Sequence, residues 1–281
     1  MRRRGTLAAA MALVLAGCTA PVTPLLDQAA ALLDEAIAEH GRPVAAIVVR
    51  SSELQLNLRS DDGGVTLVTL LPERSETTTA SQPVAARPSA EFPVAETVSR
   101  ASALDDVCEG SWQLDVSTAS EAALLSRSAC DGNPTSTQLN DTALPALAAE
   151  WDDATLTTLW SELELLAPEM SVLSVQLGPE QAYVLLAADA TTPEGWAPAW
   201  SRSLASPSDS AVVLRQAADG GTPIDLTAVT PQTVAGLVTA GQRAAGIAEA
   251  DGLSVYIADT GEGPAVTVSK GAQTATLPVG G

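Results

Sequence analysis

Carboxylates are the most abundant reactive groups in this 281-residue chain, which has 34 Asp and Glu residues but one His. Adjacent aspartates occur at three places: Asp61-Asp62, Asp105-Asp106 and Asp152-Asp153. Glycoside hydrolysis needs two carboxylates that face each other across a cleft at about 5 to 9.5 Å. All three pairs fall at predicted turns or helix ends, where Asp side chains accept hydrogen bonds from backbone amides. A structural role is therefore expected for each pair.

The single histidine, His40, restricts other chemistry. It precedes Gly41 at the predicted end of a helix, where a cation is favoured by the helix dipole. One histidine cannot form a histidine-rich metal site, and a serine triad would have to use His40 in a chain with no GxSxG sequence. P-loop and GxGxxG sequences are also absent. The sequence predicts no catalytic residue, no metal site and no cofactor.

Tryptophan side chains are candidates for a contact surface. Trp112 and Trp160 fall on apolar faces and are expected in the core. Trp196 and Trp200 lie close together in residues 191–203, a loop-like stretch with two prolines. Because Trp is enriched where proteins contact their partners, Trp196 and Trp200 are predicted to form an exposed contact surface.

Two of the three cysteines, Cys108 and Cys130, are expected to form a disulfide. Residues 111–117 alternate apolar and polar, and residues 121–129 could return as an antiparallel strand. Pairing Thr118 with Glu121 would place Cys130 opposite Glu109, one residue from Cys108. Closing a loop of this length stabilises a fold by about 3 kcal/mol in the chain-entropy model.

The third cysteine, Cys18, lies at the end of a distinctive N-terminal segment. Arginines at 2–4 precede ten apolar residues at 7–16, and residues 15–18 read LAGC. This segment resembles a bacterial lipoprotein signal peptide with its lipobox. The resemblance implies that cleavage follows Gly17 and that the Cys18 sulfur carries a diacylglyceryl group. The Ala-, Val- and Arg-rich composition, with one lysine, is similar to that of actinobacterial proteins.

Lipidation would place the chain at the extracytoplasmic face of the cell membrane. The ten apolar residues are about half the number that a membrane-spanning helix needs. Two acyl chains on one cysteine are enough for stable anchoring. Without its leader the chain has 11 basic and 34 acidic residues, so its net charge changes from −20 to −23. Such a charge excludes nucleic acid as a partner.

The elements after the leader predict an α+β fold in two tandem halves, each with helices packed on antiparallel meander sheets. Helical spacing follows position 24, and strands are predicted at 44–50, 53–59 and 65–71 before a weaker helix at 94–106. A similar order recurs later, with a helix after Asp152 and another after Thr230. Six further strands are predicted around these helices, at 171–177, 181–188, 211–216, 253–258, 265–269 and 274–277. The last three are predicted to form a meander.

Domain boundaries follow from composition. The predicted organisation is a signal peptide at 1–17, a lipid anchor and tether at 18–24, a first half at 25–130, a linker at 131–149 and a second half at 150–281. Residues 72–93, rich in Pro, Ser and Thr, are predicted as an insertion, either a solvated spacer or a functional loop.

Three functions remain open. The favoured hypothesis is a non-enzymatic module that binds an envelope protein or peptide. Its order of elements is similar to that of tandem helix-plus-meander modules such as PepSY-like domains and β-lactamase-inhibitor proteins. The alternatives are a carrier for a lipid or small apolar ligand, which needs an apolar cavity, and a carboxylate-dependent hydrolase of envelope glycans.

Overall fold

The computed structural model describes residues 25–71, 74–148, 150–168, 172–217 and 222–280. The predicted signal peptide, Cys18 and the tether lie outside these residues. The described chain has an α+β fold with four helices and two antiparallel sheets, one of eight strands and one of seven. Each sheet belongs to one half of the chain, which agrees with the predicted two halves.

The first half contains two helices and eight strands. In chain order these are α1 (Leu25–His40), β1 (Val44–Arg50), β2 (Leu54–Arg59), β3 (Val65–Leu71), β4 (Arg74–Ala80), α2 (Val94–Asp105), β5 (Trp112–Thr118), β6 (Leu124–Cys130), β7 (Asn133–Leu139) and β8 (Thr142–Ala143). The strand order in the sheet is β4-β3-β2-β1-β5-β6-β7-β8. Alternation in the sequence predicted β2 and β3, because one face of each strand is buried, whereas β1 was predicted from a run of apolar residues that is buried on both faces.

The second half repeats this order with one strand fewer. Its elements are α3 (Asp153–Leu166), β9 (Val172–Leu177), β10 (Gln181–Leu186), β11 (Trp196–Ser203), β12 (Ala211–Gln216), α4 (Pro231–Ala245), β13 (Ser254–Asp259), β14 (Pro264–Lys270) and β15 (Gln273–Pro278). The strand order is β12-β11-β10-β9-β13-β14-β15. In both sheets the two meanders meet at their first strands, β1 with β5 and β9 with β13.

Local capping fixes where α3 and α4 begin. The Asp152 side chain accepts a hydrogen bond from the Thr155 amide at 2.8 Å, and Thr230 Oγ1 accepts one from the Thr233 amide at 3.2 Å. These bonds satisfy amides that have no partner within the helix. Helix α4 ends at Gly246, whose φ of 71° lies in the left-handed region that favours glycine.

Two predicted connections are instead parts of the first sheet. The predicted insertion at 72–93 contains β4, and the predicted linker at 131–149 contains β7 and β8. All seven residues of β4 are exposed, and the first three residues of β7 are exposed as well. Neither segment buries a regular apolar face. Its sequence therefore has no apolar periodicity from which these strands could be predicted. Their pairing with β3 and β6 defines them as strands.

The β5 and β6 hairpin has a different register from the predicted one. Thr118 pairs with Leu124 instead of Glu121, and Cys130 lies opposite Trp112 instead of Glu109. The connection is longer because residues 119–123 form a closed loop. In this loop the Ala119 amide donates to the Ala123 carbonyl at 3.0 Å.

Two clusters of buried apolar residues form the core. One contains side chains from α1, α2, β1, β2, β3 and β5, including Trp112. The other contains side chains of the second half, including Trp160, together with Leu125 and Leu139 of the first. Both predictions of a buried tryptophan are confirmed, at 4% exposure for Trp112 and 5% for Trp160. The second cluster therefore crosses the boundary between the halves.

Candidate binding sites

The cysteine pair of the first half is joined. Cys108 and Cys130 form a disulfide with a Cα to Cα distance of 5.7 Å. The bond ties the segment after α2 to the end of β6, despite the changed register of the hairpin. The Asp131 amide continues this contact by donating to the Ser111 carbonyl at 2.7 Å.

The two tryptophans predicted to form a contact surface are not both accessible. Residues 196–203 form β11 rather than a loop, and Trp200 is completely buried in the second core cluster. Trp200 cannot contribute to a contact surface, because its ring lies on the core side of a strand that has neighbours on both edges. Trp196, at the first position of β11, is half-buried.

The adjacent acids and His40 have the expected structural positions. Asp62 accepts hydrogen bonds from Ser60 Oγ at 2.8 Å and the Gly64 amide at 3.1 Å, and these bonds lower its pKa. Asp105 accepts a hydrogen bond from Trp112 Nε1 at 2.5 Å. His40 is the last residue of α1. Within the described ranges, no three His, Cys, Asp or Glu residues are grouped so that they could hold a metal ion.

A polar cleft lies where the first sheet meets β12 of the second half. Its volume is about 430 Å³. Its floor is the face of the first sheet opposite the first core cluster, with Asn57 on β2, Asp115 on β5 and Arg127 on β6. The other walls are formed by residues 82–85 and 211–214. Both halves of the chain are therefore needed to form this cleft.

Asp115 and Arg127 are direct cross-strand neighbours in the cleft. Arg127 Nη1 lies 3.5 Å from Asp115 Oδ2, and Arg127 Nη2 donates to the Ser210 carbonyl at 2.7 Å. Arg127 thus connects the first sheet to the segment that leads into β12. Burial raises the pKa of Asp115, and the charges of Arg127 and Arg50 oppose this shift.

Three polar atoms of these side chains are buried and have no hydrogen-bond partner within the protein. They are Asn57 Oδ1, Asp115 Oδ1 and Arg127 Nε. A buried polar atom without a partner is unusual in a folded protein, because it loses its bonds to water without replacement. The three side chains line the same cleft, so their shared environment calls for a shared explanation.

A second candidate is a row of side chains across the open side of the second sheet, which we call the tyrosine face. Strand pairing aligns five residues across five strands: Thr276, Thr267, Tyr256, Gln176 and Tyr183. Tyr256 and Tyr183 are the two tyrosines of the chain, and Tyr256 is 48% exposed. At one end of the row, Arg215 Nε donates to the Tyr183 hydroxyl at 2.6 Å.

The tyrosine face differs in charge from the rest of the chain. Its five strands, β15, β14, β13, β9 and β10, contain one acid, Asp259, at the last position of β13, and one base, Lys270, at the last position of β14. The chain as a whole has 34 acids. The five side chains of the row are themselves uncharged and partly aromatic, with Arg215 bordering them at Tyr183.

Sequence reasoning missed both candidate sites. It placed Asp115 on the polar side of β5, but the cleft depends on Asn57 and on β12, which are distant in sequence. Alternation in the sequence indicates only on which side of its own strand each tyrosine lies, Tyr183 on β10 and Tyr256 on β13. Only the register of β9 between β10 and β13 shows that the tyrosines flank the same glutamine.

The described residues define an α+β protein of two antiparallel sheets. No family model matches the chain, and no curated protein is significantly similar to it. Among solved structures, PCNA from Thermococcus kodakaraensis is 11% identical over 89% of this chain and 94% of that chain, with a TM-score of 0.16. The PCNA2-PCNA3 complex from Sulfolobus tokodaii is 10% identical over the same shares, with a TM-score of 0.15. Likenesses this weak support no conclusion about fold or function.

No helix among the described residues has both the length and the apolar composition needed to cross a bilayer.

Proposed function

We propose that this chain is a lipoprotein, anchored through Cys18 at the extracytoplasmic face of the membrane, that binds another protein through the tyrosine face. The lipobox-like sequence at 15–18 supports the anchor. In the proposed arrangement the helices of each half pack on one side of its sheet. The opposite side of the second sheet then remains free for a partner.

The observation that carries the binding function is the alignment of Tyr256, Gln176 and Tyr183 on neighbouring strands. Tyrosine is enriched at protein interfaces because its ring buries a large area while its hydroxyl forms hydrogen bonds. Charged side chains are depleted at the centres of such interfaces, since desolvating them is costly. The tyrosine face has both properties.

The overall charge indicates which partners would be attracted. An acidic protein attracts basic molecules over long distances and repels acidic ones. A partner with a neutral centre and a basic rim fits an uncharged row of side chains on an acidic protein. We therefore propose a basic envelope protein as the partner.

The polar cleft does not provide the site that the carrier or the hydrolase hypothesis requires. The polar cleft has one carboxylate, Asp115, whereas the hydrolase would need two facing carboxylates. Apolar side chains at 83–85 and 211–214 line part of the same cleft, but the charged side chains of Asp115 and Arg127 disfavour an apolar ligand there. The binding module is the hypothesis that a specific surface feature favours.

Site-directed photocrosslinking in the native host tests this proposal. A photoreactive residue at Thr267, opposite Tyr256 on β14, should give a discrete protein adduct. Tyr256→Ala should reduce that adduct about tenfold or more, as expected for a buried aromatic anchor at an interface. The control is the same photoreactive residue at Gln232, exposed on α4. Equal adducts at both positions, or no effect of Tyr256→Ala, would contradict the proposal.

The anchor requires a separate measurement. Mass spectrometry of the protein from its host should find Cys18 as the first residue, with acyl chains attached. Cys18→Ala should release the chain from the membrane fraction while leaving its folding unchanged. An intact leader or an unmodified Cys18 would refute the anchor without deciding whether the tyrosine face binds a protein.

A further inference from the structure

We propose that the polar cleft between the halves binds the main chain of a short extended peptide. The cleft is separate from the tyrosine face, which lies on the open side of the second sheet. The inference rests on Asn57, Asp115 and Arg127, each of which has a buried polar atom without a partner in the protein.

Each unpartnered atom is buried in the free protein, so a ligand can reach it only after the side chain rotates toward the cleft. The atoms then specify the hydrogen bonds that the ligand must supply. Asn57 Oδ1 and Asp115 Oδ1 accept hydrogen bonds, whereas Arg127 Nε donates one. A complementary ligand therefore has two donors and one acceptor, with the acceptor next to one of the donors. The remaining groups of the Arg127 guanidinium contact Asp115 Oδ2 and the Ser210 carbonyl.

A peptide main chain has this combination of groups. Each non-proline residue carries one N–H donor and one C=O acceptor. One peptide N–H can donate to Asp115 Oδ1 while a neighbouring C=O accepts from Arg127 Nε. A second N–H further along the peptide can then donate to Asn57 Oδ1.

The spacing of the strands agrees with a peptide of a few residues. Asp115 on β5 pairs with Val48 on β1, and Asn57 on β2 pairs with Ala46, two residues earlier on β1. Two strand separations of about 4.8 Å and two rises of about 3.3 Å place the two Cα atoms about 12 Å apart. An extended peptide covers this distance in about four residues.

Charge and size also favour a peptide main chain over an ion. The cleft pairs one carboxylate, Asp115, with one guanidinium, Arg127, so the ligand has no net charge to neutralise. Arg50, the other cation near Asp115, is already bonded to Glu53 and to Gln113. Small side chains at Ala46 and Ala119 also line the cleft, and its volume of about 430 Å³ lies in the range typical of ligand sites.

Affinity selection tests the proposal with a defined probe. The lipidated protein, purified in detergent from its host, is equilibrated with a pool of random tetrapeptides capped at both ends. Retained peptides are identified by mass spectrometry and then titrated individually by calorimetry. We expect saturable binding of at least one sequence. If the pool gives none, the cleft holds ordered water only and the proposal is overturned.

Asn57→Leu locates the binding site. Leucine has a similar shape but cannot accept a hydrogen bond, so the affinity of a retained peptide should fall about fivefold to tenfold. The variant should fold normally, because it removes a buried acceptor that has no partner in the free protein. The matched control is Gln55→Leu, two residues away on the same side of β2, outside the residues that line the cleft. Equal affinities of both variants and the wild type would overturn the proposal.

A change in the ligand provides an independent check. Replacing a contacting amide of the peptide by an ester removes one N–H donor while preserving the chain length. The ester should bind the wild type more weakly than the amide peptide does. If the missing N–H is the one that donates to Asn57, the ester and the amide peptide should bind Asn57→Leu equally well. Tyr256→Ala should bind the peptide like the wild type, so failure of the tyrosine face and failure of the cleft are distinguishable.

Discussion

Arg202 on β11 and Glu162 on α3 form an ion pair inside the second core. Arg202 Nε donates to Glu162 Oε1 at 3.0 Å and Oε2 at 2.9 Å, and the two side chains are 0% and 5% exposed. Arg202 also donates to the carbonyls of Ser203 and Pro145, so the pair holds the connection between the halves. Burial raises the pKa of Glu162, while the hydrogen bond and charge of Arg202 act in the opposite direction.

Replacing one residue of this ion pair should destabilise the protein more than replacing both residues. Arg202→Met leaves a buried carboxylate without its partner, so the free energy of unfolding should fall by about 3 to 5 kcal/mol. The double variant Glu162→Leu with Arg202→Met leaves no buried charge and should recover much of that loss. Urea unfolding of the three proteins measures the difference. A double variant as unstable as Arg202→Met would contradict this account.

Two glycines of α4 should respond oppositely to alanine. A Cβ at Gly241 would lie 2.6 Å from Val268 Cγ2 on β14, whereas a Cβ at Gly236 would meet no atom within 4 Å. Gly241→Ala should therefore destabilise the protein by about 1 to 3 kcal/mol through overpacking. Gly236→Ala should stabilise it by up to about 1 kcal/mol, because alanine favours helix.

Thermal unfolding distinguishes the two glycine variants. Adding Val268→Ala to Gly241→Ala removes the clashing methyl groups and should recover part of the stability. If Gly241→Ala is as stable as the wild type, then α4 does not approach β14 as closely as the structure indicates.

The partly buried carboxyl of Asp115 should make stability depend on pH. Its pKa in the folded protein is raised above the ordinary value of 3.8, mainly by burial. Its contribution to stability is therefore fully present below pH 3.8 and is lost as the pH rises through the folded pKa. Arg127 and Arg50 are the charged groups that oppose this loss.

Comparison with Asp115→Asn isolates that contribution. The difference in unfolding free energy, wild type minus variant, should decrease as the pH rises from below 3.8 through the raised pKa. Urea titrations at a series of pH values measure it. A difference that increases with pH would show that the arginines outweigh burial and hold the pKa below its ordinary value.

The disulfide should contribute measurably to stability. The bond closes a loop between positions 108 and 130, a sequence separation of 22. Replacing both cysteines by alanine should lower the free energy of unfolding by about 3 kcal/mol, because the unfolded chain gains conformational freedom. Adding reductant to the wild type should have a similar effect and should not affect the double variant. No difference between oxidised and reduced wild type would contradict this expectation.

Strands with one buried face were predictable, whereas strands defined by pairing alone were not. The helices at α1, α3 and α4 follow from apolar spacing and from capping residues such as Asp152 and Thr230. Strand β4 is exposed along its whole length, so its sequence has no apolar pattern that could reveal it. Strand β11 has the opposite character, because four consecutive residues from Ala197 are buried and alternation disappears. Its prolines and tryptophans were therefore interpreted as a loop.

The candidate sites were less predictable than the fold. Asn57 and Arg127 are 70 positions apart, and the β12 wall of their cleft is more distant still. No local pattern relates these residues, because the contact arises from the packing of one half against the other. The error for Trp200 has the same origin, since its burial is decided by β10, β12 and the core cluster.

The sequence by itself determined the class of fold, two halves with helices and antiparallel strands, and the pairing of the two cysteines that follow position 18. These properties depend on residues that are close in the chain, or on the small number of cysteines. Tertiary structure alone decided the register of β5 with β6, the alignment of the tyrosines and the assembly of the polar cleft. These features depend on hydrogen bonds between strands and on contacts between the halves. Both kinds of interaction join segments that are distant in sequence, so no local sequence pattern encodes them.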